Sequence, residues 1–316
     1  MSYNGTWIII RQKWRIYTIM CHYCIQPKIL TNYEIKYTIK NTMNAKTPPR
    51  LHVMLARESD KAIIIRRGPS KYTAVIGWDR GTNNFYIGQW VKGKIFHHRC
   101  DISPDGKHWI YFALHKKYGQ AYTAVAKVPY LRAIDFYTKV DAWNGGGIFL
   151  KNDTYWLNEG SYSEHVLKKK GNLIVEKSTE LNKAVDGEDA GIYFYKLRRN
   201  GWEEKNTEIL DKHNCKVYFH KKINQKIILC KIFYAGLDRP IGKGCYYESH
   251  EVIDLGNNIK WEFLDWEWAD FDGKRFIWAE YGKIVQGNMG EKGIENIKEL
   301  FDTNSLTYEE IKAPYE

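Results

Sequence analysis

Residues Cys100–Leu114 read CDISPDGKHWIYFAL: a short polar stretch, the pair Asp105-Gly106, then an unbroken apolar run from Trp109 to Leu114. Asp-Gly between two strand-like runs is a strong hairpin signal, because both central residues of a type I′ turn take positive φ. The device returns at Ala269–Ala279, ADFDGKRFIWA. In both copies the triplet is Asp-Gly-Lys, an isoleucine follows its aspartate by five positions (Ile110, Ile277), and an aromatic comes next (Tyr111, Trp278). The spacing predicts a repeated hairpin, and with it a repeat architecture.

From Leu51 onward, strand-like runs follow one another closely, separated by turn pairs such as Ser59-Asp60, Gly68-Pro69, Asn200-Gly201 and Gly256-Asn257. Many are apolar on both faces, among them Ile63-Ile64-Ile65, Ile110-Tyr111-Phe112, Ile148-Phe149-Leu150, Tyr193-Phe194-Tyr195 and Ile227-Ile228-Leu229-Cys230. A strand covered on one face only alternates, and the outer strands of a β-sandwich keep a polar face. A parallel sheet buries both faces but needs crossover helices, and no helical period lies between the runs. Sheets stacked face to face around a ring bury both faces with antiparallel strands alone. The pattern therefore predicts an all-β chain, a single β-propeller of four-stranded blades. Twenty runs between residues 51 and 290 divide into five blades, or six if Asp186–Ala190 holds another strand. Past Gly290 the spacing of Ile294, Ile297, Leu300 and Phe301 predicts a short C-terminal helix packed on the propeller.

The domain organisation expected is an arm at 1–46, a propeller at 47–290, and a helix with its tail at 291–316. The arm stands apart: residues 1–42 hold nine Ile and five Tyr but no Ala, Val or Asp, the bias of AT-rich codons. Met43 is the expected true start, which makes residues 1–42 upstream DNA read in frame; the alternatives are a disordered arm or a genuine strand-rich one. The formal net charge is +11, of which residues 1–42, with six Lys/Arg and one Glu, carry +5 and the remaining 274 residues +6. A body so mildly basic is poor footing for nucleic acid and suits weak attraction to anions. Six cysteines follow no secretory pattern, and no long apolar run predicts a membrane span. Reduced thiols in the cytoplasm are the expectation.

Asp101-Ile102-Ser103-Pro104-Asp105-Gly106-Lys107, followed by an apolar run, resembles the S-P-D-G-x hairpin of TolB-like and WD40-like propeller repeats. Trp78-Asp79, followed by Thr82 and Phe85, is similar to their W-D-x-x-T strand end. The match covers two or three short sites, and the regular Gly-His to Trp-Asp spacing of WD40 repeats is absent. The resemblance implies a propeller that displays loops to partners. It implies no chemistry.

Cys21-His22-Tyr23-Cys24 has the spacing of zinc and thiol-redox sites, but no second ligand pair follows it within the arm. His97-His98-Arg99-Cys100-Asp101 is dense in ligand types; on a strand, His97 and Asp101 would share one face and His98 and Cys100 the other. Trp261–Asp272, WEFLDWEWADFD, crowds carboxylates among tryptophans, with Asp265, Glu267 and Asp270 as candidates for glycosidase-type acid/base chemistry. Arg66-Arg67-Gly68-Pro69-Ser70-Lys71 sets three cations and a hydroxyl on one turn, suited to phosphate or carboxylate. Asp141-Ala142-Trp143-Asn144 and three glycines break the strand rhythm, as a blade-to-blade link or a loop at the mouth of a central channel. No P-loop, G-x-G-x-x-G, H-E-x-x-H or G-x-S-x-G occurs. The sequence thus reads as a cytoplasmic propeller scaffold without metal or cofactor. It would bind a protein partner or an anionic ligand through Arg66, Arg67, Ser70 and Lys71, with Asp141 and Trp143. The alternative is a glycan-directed enzyme using Asp265, Glu267 or Asp270.

Overall fold

The computed structural model describes residues 11–12, 15–16, 47–114, 121–139, 141–158, 165–178, 180–181, 189–238, 240 and 243–315. The chain divides into two units, Met1–Lys46 and Thr47–Glu316. In the first, β1 (Arg11–Gln12) pairs antiparallel with β2 (Arg15–Ile16). Cys21, His22 and Cys24 lie outside the described residues.

The second unit is mostly β, as the apolar runs require. Its first sheet is a meander of β3 (Arg50–Leu55), β4 (Lys61–Arg67), β5 (Tyr72–Asp79) and β6 (Asn84–Lys92). The second comprises β7 (Asp101–Ile102), β8 (His108–Ala113), β9 (Ala121–Lys127) and β10 (Ala133–Lys139), with β13 (His165–Lys169) added at its edge. The third joins β11 (Gly147–Phe149), β12 (Thr154–Leu157) and β14 (Ile174–Glu176), the last pair parallel. The fourth is β15 (Glu203–Ile209), β16 (Cys215–Lys222), β17 (Ile227–Ala235), β18 (Tyr246–Asp254) and β19 (Ile259–Phe263). The fifth is β20 (Trp268–Phe271), β21 (Phe276–Glu280), β22 (Lys283–Gly290) and β23 (Gly293–Asp302). All pairings but β12–β14 are antiparallel.

Strands apolar on both faces are indeed covered on both. Ile63, Ile64 and Ile65 of β4 are all buried, and they divide between two clusters. Ile63 and Ile65 pack with Trp109 and Tyr111 of the second sheet, Ile64 with Trp268 and Ile277 of the fifth. Sheet neighbours follow chain order: β3 meets β7, β7 meets β11, and β17 and β18 meet β20. The order returns to its start where β20 and β21 meet β3. Between the third and fourth sheets stands α1 (Asp189–Arg199), which touches β11 and β15.

Aspartate and asparagine side chains shape many of the turns by accepting from backbone N–H groups two or three residues on. Asp79 does so for Gly81 and Thr82, Asp254 for Gly256 and Asn257, and Asp272 for Lys274 and Arg275. The two Asp-Gly turns link the first and second strands of the second and fifth sheets. Only their glycines take positive φ (Gly106 +74°, Gly273 +90°), so neither is the type I′ turn expected from the dipeptide. In the first, Asp105 instead ties the loop together, accepting from Ser103 Oγ at 2.7 Å and Lys107 N at 3.1 Å.

Three further expectations are corrected. Gly191–Leu197 is not a strand but most of α1: Asp189, Ile192, Tyr193, Lys196 and Leu197 are its buried residues, one stripe at helical spacing. His97–Arg99 is a turn of 3₁₀ helix, not a strand. The C-terminal helix is absent: Gly293–Asp302 is β23, the outer strand of the fifth sheet. Its apolar residues fall three apart because the pairing with β22 shifts register twice, between Ile284 and Val285 and between Gln286 and Asn288. Each extra residue flips the side-chain parity of the strand.

Beyond β23 the chain runs on without regular structure and binds across other sheets. Arg66 donates to the carbonyls of Thr303 and Leu306, each at 3.1 Å. Gln89 Nε2 donates to Ile311 O at 2.9 Å, and Tyr315 Oη donates to Arg132 O at 2.7 Å. Among the described residues no helix is long and apolar enough to cross a membrane.

Candidate functional site

A cavity of about 580 Å³ opens where β3, the 3₁₀ turn, the loop before β11, the start of α1 and the start of β18 approach one another. Its wall carries more positive charge than negative. Arg50, Arg67, Lys94, Arg99 and Lys243 face it, against Asp189, Glu248 and Glu267. Two of those acids already have cationic partners: Asp189 accepts from Arg99 Nε at 2.8 Å, and Glu248 from Lys231 Nζ at 2.5 Å. Arg99 also donates to the carbonyls of Ala142 and Asn144, so its charge holds the loop before β11 against the 3₁₀ turn. Arg50, Arg67, Lys94 and Lys243 have no side-chain hydrogen bond or ion pair among the described residues. Arg50 and Arg67 stand directly opposite each other across the β3–β4 ladder. Burial, reinforced by Arg50, pulls Arg67 below the ordinary arginine range, and burial does the same to Lys94, with Arg67 adding to it.

On the same wall three imidazoles meet. His52 comes from β3, and His97 and His98 open the 3₁₀ turn. Successive side chains there are about 120° apart rather than on opposite faces, so both neighbours reach one cavity. One ring nitrogen from each lies within 4.8 Å of those of the other two. Ring centroids are 4.4 Å apart for His52 and His97 and 4.0 Å for His97 and His98. Tyr193 of α1 packs on His98 at 4.6 Å and on His52 at 5.9 Å, fixing the ring planes. Burial and the surrounding cations keep all three neutral: His97 is pushed down to about 3, and His52 and His98 fall well below the ordinary range.

Behind the wall runs a buried polar chain. Tyr193 Oη donates to Glu248, Lys231 Nζ lies between Glu248 and His250 Nε2 (2.9 Å), and His250 Nδ1 meets Trp266 O at 3.0 Å. Lys196 donates to Cys100 O, and burial lowers its ammonium to about 8. Burial also raises the Cys100 thiol to about 12, which makes it a poor nucleophile.

The residues singled out in the sequence scatter. Arg66 is 2% exposed, bound to the C-terminal segment and 5.5 Å from the Trp90 ring, so it does not converge with its neighbours. Arg66 and Arg67 alternate across β4, and only Arg67 reaches the cavity. Ser70 and Lys71 sit exposed on the turn, where Ser70 Oγ accepts from Tyr72 N. The loop 141–147 does reach the cavity, through Ala142 and the exposed Trp143, while Asp141 accepts from Trp143 N and shapes the turn.

The three candidate carboxylates do not share one cavity. Glu267 lines the cavity, accepts from Leu51 N at 3.1 Å, and is raised by burial. Asp270 lines a separate cavity of about 40 Å³ and pairs with Lys221 at 2.6 Å. Asp265 is exposed and hydrogen-bonded to Tyr281. Sequence reading gave no role to His52, Arg50, Lys94 or Lys243. The one available signal was the His97-His98 pair, misplaced by assigning it to a strand.

No family model and no curated protein matches the chain. Among solved structures, an uncharacterized protein from Listeria monocytogenes EGD-e aligns with 84% of this chain and 98% of its own, at 10% identity and a TM-score of 0.30. So weak a likeness leaves fold and function to be read from the molecule itself.

Proposed function

We propose that the second unit is a five-bladed β-propeller and that its central cavity binds a small anionic ligand. Five sheets in chain order, with the last meeting the first, support the propeller. So does the repeated Asp-Gly turn at equivalent points of the second and fifth sheets. The third and fourth sheets depart from a regular blade: the third has three strands and one parallel pair, and the fourth's first strand, β15, is exposed along its whole length and touches α1.

The observation that carries the ligand is the Arg50–Arg67 pair. Like charges directly opposite on a ladder repel; neither guanidinium has an ion pair among the described residues, and Glu267 on the same wall acts on Arg50 from beyond ion-pair distance. An anion seated in the cavity relieves that repulsion and receives bidentate contacts of the kind guanidinium offers phosphate and carboxylate. Lys94 and Lys243 add point charge at the same wall, and Trp143 offers an aromatic face at the rim. The protein would act as a binding module, in a reducing compartment in keeping with its free thiols at Cys100, Cys215, Cys230 and Cys245.

Calorimetric titration with inorganic phosphate, citrate and nucleoside phosphates tests the reading. Binding of at least one of these, weakened about tenfold to a hundredfold in Arg50→Ala/Arg67→Ala, is expected from the loss of one or two charge-assisted contacts. Equal affinity in wild type and the folded double variant would move the site elsewhere.

A further inference from the structure

We propose that His52, His97 and His98 form a three-histidine site for a divalent transition metal of the zinc class, open to the central cavity at its remaining coordination position. The argument is geometric and independent of the anion reading. The three residues come from two elements that the fold, not the sequence, brings together: β3 and the 3₁₀ turn before β7. Their ligand nitrogens already lie within 4.8 Å of one another. A tetrahedral metal with bonds of about 2.0–2.1 Å sets its nitrogens about 3.3 Å apart, so the three nitrogens draw together by at most about 1.5 Å to hold it.

None of the three rings has a hydrogen bond to any described residue. All three rings line the cavity, so their unpaired nitrogens are open to whatever occupies it. His52 is 7% and His98 5% exposed. Three such rings side by side, with His98 packed on Tyr193, Phe233 and Tyr246 and His52 on Tyr193, present their nitrogens to a common electrophile. Three histidines with the fourth position free is the donor set of metal sites that bind water or a ligand, as opposed to closed structural sites. The cavity provides the space for a further ligand at the metal.

Metal content is measured on the full-length protein after chelator dialysis and reloading with Zn²⁺, and visible spectra are recorded with Co²⁺. Cys21-x-x-Cys24 is the competing site, so the Cys21→Ser/Cys24→Ser variant is measured alongside. One metal per chain is expected, with Co²⁺ bands of a four- or five-coordinate nitrogen site and no sulfur charge-transfer band. These should be unchanged in Cys21→Ser/Cys24→Ser. His97→Gln alters the least buried of the three and leaves the packed rings in place. It should keep the wild-type circular dichroism and weaken Zn²⁺ by more than about a hundredfold, beyond the effect of losing an outer-shell partner. Failure of the wild-type protein to bind Zn²⁺ or Co²⁺ overturns the proposal. So does binding that survives in His97→Gln and is lost with the two cysteines.

Discussion

Arg66→Ala should destabilise the protein by about 3 kcal/mol. The guanidinium is 2% exposed and makes two hydrogen bonds, to Thr303 O and Leu306 O, at 3.1 Å each. Hydrogen bonds from a charged donor contribute about 1.5–3 kcal/mol each. Taking the lower end, because water enters the space left by the side chain, two of them give about 3 kcal/mol. Thr303 is fully buried, which keeps its stranded carbonyl expensive. With a urea slope of about 3 kcal/mol/M for a chain of this size, the unfolding midpoint should fall by about 1 M. The neighbouring cations supply the control. Arg67 and Lys71 have no such partners, so Arg67→Ala and Lys71→Ala should leave the midpoint within about 0.2 M of wild type, as exposed or unpaired charges do. Relief from Arg50 works in the same direction for Arg67→Ala. A midpoint for Arg66→Ala indistinguishable from that of Lys71→Ala would refute the reasoning and release the C-terminal segment from any structural duty.

Gly106→Val and Gly273→Val should each lose more than about 1 kcal/mol, since a β-branched residue is strained at positive φ. Gly106→Val should lose more, because its Cβ would stand 2.4 Å from Lys61 Cβ while Gly273 has open space; equal urea midpoints would contradict this. Glu267 is raised by burial, so its contribution is fully present below the ordinary glutamate value of 4.5 and lost as pH rises through the folded value. Glu267→Gln should therefore melt higher than wild type at pH 7, with the gap closing below about pH 4; a constant gap would show that charge is not the cause. Lys231→Met leaves Glu248 in the core without its cation and should cost about 3–5 kcal/mol. Lys231→Met/Glu248→Leu should cost less than the sum of the two single changes, and strict additivity in a double-mutant cycle would show the pair uncoupled.

The sheets were legible because each strand advertises its own burial. Ile63-Ile64-Ile65 and Ile110-Tyr111-Phe112 need cover on both sides, and the fold provides it. What misled were segments where local pattern and tertiary placement diverge. Tyr193-Phe194-Tyr195 has strand-forming aromatics, yet only Tyr193 is buried; the stripe that decides the matter includes Lys196, a residue no apolar count includes. In β23 two bulges turned a strand's spacing into a helix's. The cavity escaped for a different reason. Arg50 meets Arg67, and His52 meets His97, only through pairing and packing between distant segments, and no feature of the residues around His52 announces it. The turn at Arg66–Lys71 looked like a site because charge density along the chain was taken for convergence in space. Strand alternation sent Arg66 one way and Arg67 the other.

The segment from Thr303 to Tyr315 has a consequence for how the protein is made. It is translated after every sheet that it binds: β4 through Arg66, β6 through Gln89, and the β9–β10 corner through Lys127 and Arg132. The first two sheets can form as they leave the ribosome, but the clasp across them arrives only when residues 303–315 clear the exit tunnel. Until then the nascent chain carries Arg66 without its carbonyl partners, and the newly made sheets stay unlatched. A stalled or prematurely released chain lacking these few residues would present a nearly complete set of sheets to the quality-control machinery, and still read as unfinished.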